Sequence, residues 1–316
     1  MSFRSTVDRH LVHRAAVAEV FVTDVQETPG PTYVAAAQLP MAHAYYSDDL
    51  LTPKRFDILL VAEASRQAAM YACHRFLDVP LGTAFAVRTL EVQLADGDGL
   101  RVGHAPGELW IVMTFPEVRR RGTEVRHFRV HQELEMAGHR LGTVAMEVSA
   151  MSAADYRGLR YLQRQSDPPT TVDLRAGRAP GRTVQPGLVG RRDPANVVLA
   201  ELDPGAPGEH GPTAELRPAF GNRGMFDHDY DHHPGMVLME GARQFALLVA
   251  GGPATALGLR ARFLRYAELD APVRLSMPRQ VYRAEPGNRL AVPVQVHQDT
   301  AAVAELVCFL RTGEST

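Results

Sequence analysis

The stretch LLVAEASRQAAMY, residues 59–71, reappears in altered form as MVLMEGARQFALL, residues 236–248. One offset of 177 residues pairs Glu63 with Glu240, Arg66 with Arg243 and Gln67 with Gln244. Without a gap it also carries LVHR (11–14) onto LVGR (188–191), Val20 onto Val197 and Leu39 onto Leu216. Matches spread this widely in a single register mark a tandem duplication, which fixes the architecture before any other feature does. In the first copy Leu59, Ala62, Ala69, Met70, Cys73, Phe76 and Leu77 recur at three- and four-residue steps, and in the second Met236, Met239, Ala246, Leu247 and Ala250 do so. Each copy therefore carries one amphipathic helix.

The rest alternates. VAEVFVTD (17–24), TVAMEVSAM (143–151), LAVPVQVHQ (290–298) and AAVAELVCFLR (301–311) show the period of two expected of antiparallel strands. A helix with short strands before it and long ones after it implies an α+β fold in which a curved antiparallel sheet wraps around one central helix. Two such units are expected to pair as a dimer fused into one chain, which would hide strand edges; assembly of whole chains into a homo-oligomer stays open. The expected division is 1–154 for the first repeat, 155–186 for a linker rich in Pro, Gly and Arg, and 187–316 for the second repeat. The linker lacks a steady apolar period, although YRGLRYL (156–162) is suited to packing on a domain surface. GGPATALG (251–258) has neither the lysine nor the spacing of a phosphate loop and reads as a helix stop and turn.

Composition narrows the function classes. The chain has 316 residues, 45% hydrophobic and 22% charged, with a formal net charge of −2. That is an ordinary globular profile, and it gives no reason to expect nucleic acid or an anionic membrane as partner. The first residues, MSFRSTVDRHLVHR, are too polar for a signal peptide, and no apolar run approaches a membrane span. A cytoplasmic location is the expectation. Cys73 and Cys308 lie apart in apolar segments and read as small core residues. Lys54 is the sole lysine, so Schiff-base chemistry is disfavoured.

The chemistry concentrates in DHDYDHHPGMVLMEGARQ, residues 227–244, with three histidines and three aspartates ahead of a Pro-Gly step. It reads as a metal nest, as an acid/base site at a helix mouth, or as a polar loop capping the helix. Pro234 keeps any HxxxH pair off a helix and there is no HExxH, so no metal is expected.

Together with VHRAAVAEVFVTD (12–24) and ILLVAEASRQAAM (58–70), this segment resembles the A-factor biosynthesis hotdog family, whose members make signalling molecules of the γ-butyrolactone or butenolide type. The resemblance spans roughly residues 10–160 and 187–312. It implies a double hotdog that transfers a β-ketoacyl group from an acyl carrier protein to the hydroxyl of dihydroxyacetone phosphate. No cofactor is implied beyond the phosphopantetheine arm that carries the substrate. Two positions depart from the family pattern: Asp229 stands where it implies Pro, and Gly241 where it implies Ala.

Read against that chemistry, Pro234 and Gly235 open the second helix, where unpaired N–H groups and the helix dipole favour a developing oxyanion on a thioester carbonyl. In repeat 1 the equivalent step is Asp57-Ile58, whose carboxylate would fill that anion site itself. Glu63 and Glu240 lie about a turn inside their helices, and partial burial is expected to raise their pKa and make them general bases. Arg66 and Arg243 would hold those glutamates or grip the acceptor phosphate, with Gln67 and Gln244 as further substrate contacts. The plainer alternative is that both Glu–Arg pairs are i,i+3 helix pairs. Arg14 and Arg191 recur between copies and suggest a shared structural ion pair. By its place before the Pro-Gly step, His228 resembles the catalytic histidine of related acyl-carrier-protein dehydratases. That analogy groups His228 and Gly235 with Glu63, leaving Glu240 and Arg243 in a second pocket or as a buttress. His10, His13, His43, His74 and His104 are expected to be structural or surface residues.

Two readings compete with acyl transfer. One is a dehydratase or thioesterase of hotdog type acting on acyl carrier protein or CoA esters. The other is a non-catalytic module that binds a lactone or acyl chain.

Overall fold

Asp57 starts the first helix by turning its carboxylate back to accept the Leu59 N–H, and α1 then runs over Ile58–Phe76. Residues 58–65 of α1 are all buried. A helix enclosed on every side belongs at the centre of its unit. The computed structural model describes residues 1–175, 181–205, 211–278, 283–285 and 288–313. These fall into two units, Met1–Ala42 with Phe56–Pro168 and His43–Arg55 with Pro169–Thr316.

In the first unit, β1 (Val22–Glu27) and β2 (Thr32–Leu39) precede α1, and β3 (Ala84–Leu94), β4 (Gly107–Arg121), β5 (Glu124–Met136) and β6 (His139–Met151) follow it. All are antiparallel, in the order β1-β2-β4-β5-β6-β3. Inner and outer residues alternate along β5, where Val130, Gln132, Leu134 and Met136 are buried and the residues between them are exposed. α1 packs against β1, β2 and β4.

The second unit repeats the plan with β7 (Leu199–Asp203), β8 (Thr213–Leu216), α4 (Gly235–Ala250), β9 (Ala254–Phe263), β10 (Val273–Ser276), β11 (Arg283–Glu285), β12 (Arg289–Gln298) and β13 (Ala301–Thr312). Its order is β7-β8-β10-β12-β13-β9, with β11 also paired to β12. Position for position this is the order of the first unit, so the duplication seen in the sequence extends to topology. The packing partners of α4 include β9, β12 and β13.

The span expected as linker is partly helical. In the first unit α2 (Ala153–Arg164) begins at Ser152, whose hydroxyl accepts the Asp155 N–H. In the second, α3 (Thr171–Leu174) opens with a Thr170/Asp173 capping box. Arginines alternate with Leu159, Tyr161 and Leu162 in α2, which hides the apolar period from a sequence reading, and the long stem of Arg160 is itself buried. GGPATALG is a helix stop only in its first part: Gly251 caps α4 at φ 69°, and β9 begins already at Ala254. Of VAEVFVTD, only Val22 to Asp24 is strand, because Val17–Glu19 makes a 3-10 turn first.

Residues 43–55 lie in the sequence of repeat 1 yet cluster with the second unit. Arg191 Nη1 donates to Tyr45 O at 2.8 Å and Asn196 Nδ2 to Ala44 O at 2.8 Å, while Arg192 Nε donates to Asp49 O at 3.0 Å.

Candidate active site

Each central helix carries the same buried knot. In the first unit Glu63 Oε1 accepts from Arg14, from Arg66 Nη2 at 2.8 Å and from Gln67 Nε2 at 2.8 Å, and its Oε2 accepts from Arg66 Nε at 2.8 Å. In the second, Glu240 Oε1 accepts from Arg191 Nε at 2.9 Å and Nη2 at 2.8 Å, from Arg243 Nη2 at 3.0 Å and from Gln244 Nε2 at 2.5 Å, and its Oε2 accepts from Arg243 Nε at 2.8 Å. Both glutamates are 0% exposed. Buried charges are tolerated when paired and hydrogen-bonded in this way.

The knot revises two expectations. Burial does push the Glu63 carboxyl up, but the charges and hydrogen bonds of Arg14 and Arg66 outweigh it and hold the pKa down at about 2, against an ordinary value of 4.5. Glu240 is lowered for the same reason, burial being overcome by Arg191 and Arg243. A buried carboxylate held by two guanidiniums and a carboxamide, with a depressed pKa, is a poor proton acceptor, so neither Glu63 nor Glu240 is placed as a general base. Gln67 and Gln244 are not available to substrate either. Gln67 accepts the Phe21 N–H and donates to Glu19 O, and Gln244, at the equivalent position, accepts the Val198 N–H and donates to Asn196 O. These glutamines tie the helix to the chain that leads into the first strand. Arg14 and Arg191, expected to form a shared ion pair, supply the second guanidinium to Glu63 and to Glu240.

Acid stability follows with a definite sign. The Glu63 pKa is lower in the folded state, so its contribution is complete above about pH 4.5 and is lost as pH falls toward about 2. Equilibrium unfolding between pH 6 and pH 2.5 is expected to show a loss that is shallower in Glu63→Gln, which has no proton to take up.

The two helix entries differ. At α1 the Asp57 side chain already takes the Leu59 N–H at 2.8 Å. At α4 the N-cap is Pro234, which supplies no side-chain acceptor, and the amides of Gly235 and Met236 meet no acceptor among the described residues. Gly235 is half-buried. A Cβ at this position would come within 3.1 Å of the Phe263 ring, a tight approach to which the ring would have to yield by a few tenths of an ångström.

The loop before α4 is firmly built. Phe220 and Phe226 meet edge to face at 5.3 Å, and Asp227 beside them is buried. His228 projects from this base with its side chain 40% exposed, its Nδ1 lying 3.5 Å from Asp227 Oδ2. The imidazole stacks on Tyr230 at 4.2 Å. Asp229, the departure from the family pattern, is a clamp: its Oδ1 accepts from Thr171 Oγ1 at 2.6 Å and from Val172 N at 3.0 Å, fastening α3 to the loop. Burial opposes ionisation of Asp229, yet these bonds hold its carboxyl below the ordinary value. Of the neighbouring histidines, His232 pairs through Nδ1 with Asp231 at 2.6 Å, and the backbone N–H of His233 donates to Ala267 O at 2.8 Å while its buried ring lies against Phe220 at 5.9 Å. No cluster of three or more metal-ligating side chains occurs among the described residues.

A model of the A-factor biosynthesis hotdog domain matches residues 1–152 and 172–312. The chain belongs to this family. Within the A-factor biosynthesis hotdog family it is similar to a 2-oxo-3-(phosphooxy)propyl 3-oxoalkanoate synthase of Streptomyces virginiae, 34% identical over 95% of each chain. The protein of that name from Streptomyces coelicolor is 31% identical over 93% of this chain and 88% of its own, and that from Streptomyces griseus is 30% identical over 94% and 93%. Among solved structures, a putative oleoyl thioesterase from Lactobacillus plantarum aligns with a TM-score of 0.51 over 90% of this chain and 97% of its own, at 13% identity. That likeness establishes the hotdog fold alone. No described helix is long and apolar enough to cross a membrane.

Gly241, the second departure from the pattern of the A-factor hotdog family, has a packing cause. A Cβ there would lie 2.6 Å from Leu216 Cδ1 and 3.4 Å from Leu275 Cδ2. Leu216 and Leu275 are both fully buried. Alanine gains about 1 kcal/mol in helix propensity over glycine, whereas overpacking costs about 1–3 kcal/mol. Gly241→Ala is therefore expected to lower stability by about 1 kcal/mol in denaturant titration, and Gly241→Ala combined with Leu216→Val to recover part of that loss.

Proposed function

We propose that the chain is an acyltransferase that moves a β-ketoacyl group from an acyl carrier protein thioester to the hydroxyl of dihydroxyacetone phosphate or a closely similar phosphorylated acceptor. The observation that carries this reading is 34% identity, over 95% of both chains, to a protein whose name describes the product. A 2-oxo-3-(phosphooxy)propyl 3-oxoalkanoate is an ester whose acid half is a β-keto acid and whose alcohol half is dihydroxyacetone phosphate. The donor must arrive activated, and a carrier-protein thioester supplies that activation with a thiol as leaving group.

In this reading the second unit does the chemistry. The amides of Gly235 and Met236 receive the thioester carbonyl as it gains charge, and such donors typically contribute roughly 100-fold or more to rate. His228, with Asp227 behind its Nδ1, is the base toward the acceptor hydroxyl, an arrangement in which the carboxylate fixes the tautomer and steadies the imidazolium. The buried knots hold α1 and α4 in place without exchanging protons. Arg243, bound to Glu240, also lines a cavity of about 220 Å³ together with Leu188, Leu247, Gly251 and Ala256.

Transfer is tested by incubating the full chain with a 3-oxoacyl carrier protein and dihydroxyacetone phosphate and analysing the products by mass spectrometry. The phosphorylated ester is the expected product. Free 3-oxo acid or an enoyl thioester in its place would assign hydrolysis or dehydration instead.

A further inference from the structure

The two units differ at the C-terminal ends of their central helices. In the first, His13 and His74 meet at 2.8 Å between their Nε2 atoms, Phe85 stacks on His13 at 5.4 Å, and the Met70 sulfur touches the Arg66 guanidinium. At the 177-residue offset, His13 becomes Gly190, His74 becomes Gly251, Arg75 becomes Gly252 and Met70 becomes Leu247. The backbone alone does not demand these glycines. His13 holds the left-handed conformation, at φ 55°, that Gly190 holds at φ 73°, so a side chain is tolerated at that position, and Gly252 is not at positive φ. What the glycines leave is room. The cavity of about 220 Å³ beside Arg243 lies where the first unit has its rings.

This cavity does not belong to the transfer centre. The 16 residues of α4 span about 24 Å, with the Gly235 and Met236 amides at one end and Leu247, Leu248 and Gly251 toward the other. A thioester held by its carbonyl at those amides does not extend to the cavity, so any occupant is a separate molecule. The walls decide its chemistry. Leu51, Leu188, Leu247, Leu248 and Ala256 make them chiefly apolar, with Arg243 and Asp49 as the charged members. Arg243 repels a cation. Asp49 and the carbonyl oxygens at the negative end of the α4 dipole repel an anion, and the Arg243 charge is already matched by Glu240. We propose that the cavity is a second binding site, distinct from the acyl-transfer centre, for an uncharged and mainly aliphatic molecule. An apolar cavity of about 150 Å³ takes up a benzene ring, so this one accepts roughly nine heavy atoms. Entry is over an exposed rim formed by Gly187, Leu188, Gly251 and Gly252. Leu247 stands one turn beyond Arg243 on α4, so the bound molecule packs beside the knot that secures this helix and acts as an effector of the second unit, stabilising its folded form. The assignment does not rest on the acyl-transfer reading.

The probe is octan-1-ol, which matches the cavity in size, titrated into the full chain by calorimetry beside its charged counterparts octanoate and octylammonium. A saturable site is expected, with affinity rising about 4-fold per methylene from butan-1-ol to octan-1-ol and about tenfold or more weaker for either ion. Methyl NMR locates it, because the Leu247 and Leu248 resonances should shift during the titration. Two plugged variants, Ala256→Phe and Gly252→Phe, are expected to lose about tenfold or more in octan-1-ol affinity at this site while keeping native circular dichroism. A Cβ at Gly252 meets nothing within 4 Å, so that variant is expected to fold even if Ala256→Phe does not. Absence of saturable binding, octanoate bound as tightly as octan-1-ol, Leu247 and Leu248 methyls that stay unshifted, or wild-type affinity in the folded plugged variants each overturns the assignment.

Discussion

Glu240→Ala is expected to cost about 3–5 kcal/mol of folding stability, the loss associated with removing one partner from a buried ion pair. The reason lies in what it leaves behind. Arg191 is 0% exposed and loses the carboxylate that takes both its Nε and its Nη2, and Arg243 and Gln244 lose the same acceptor. Domains are commonly stable by about 5–15 kcal/mol, so a variant this weakened unfolds at far lower denaturant. Urea titration followed by circular dichroism checks it. A change below about 1 kcal/mol would show that the knot is not what secures α4.

His228→Ala should behave in the opposite way. The side chain is 40% exposed, and the loop that bears it is anchored by the Phe220–Phe226 contact and by the Asp229 clamp, neither of which needs the imidazole. Stability is expected to change by less than about 0.5 kcal/mol. The rate of transfer is expected to fall by about 100- to 10,000-fold, the range for loss of a general base. In the wild type the rate should also rise with pH through an inflection that His228→Ala removes. A variant that keeps its full rate would place the base elsewhere.

The sequence exposed the duplication and both central helices, because a repeated helix has to repeat the side chains it buries. It also exposed Arg14 and Arg191 as a matched pair. What it hid was their partner. Each arginine sits 49 residues before its glutamate, so the local Glu–Arg spacing at i,i+3 suggested an isolated carboxylate with one neighbour and a raised pKa. With a second guanidinium supplied from far upstream, the direction of the shift reverses. Asp57 against Pro234 was legible because an N-cap acts within its own turn. The cavity beside Arg243 was not, since it arises from side chains that are missing, and glycines at 187, 190, 251 and 252 carry no apolar or charged signal of their own. The departures at Asp229 and Gly241 became intelligible only once Thr171 and Leu216 were seen against them.

The most direct test of the division between a structural glutamate and a catalytic histidine is the single-turnover rate of β-ketoacyl transfer by Glu240→Gln, measured at a temperature where its circular dichroism is native. Glutamine keeps the size of the side chain but cannot serve as a base. A rate within about tenfold of the wild type is the expected result, and a loss of about 100-fold or more in a natively folded protein would contradict the account and return the proton transfer to Glu240.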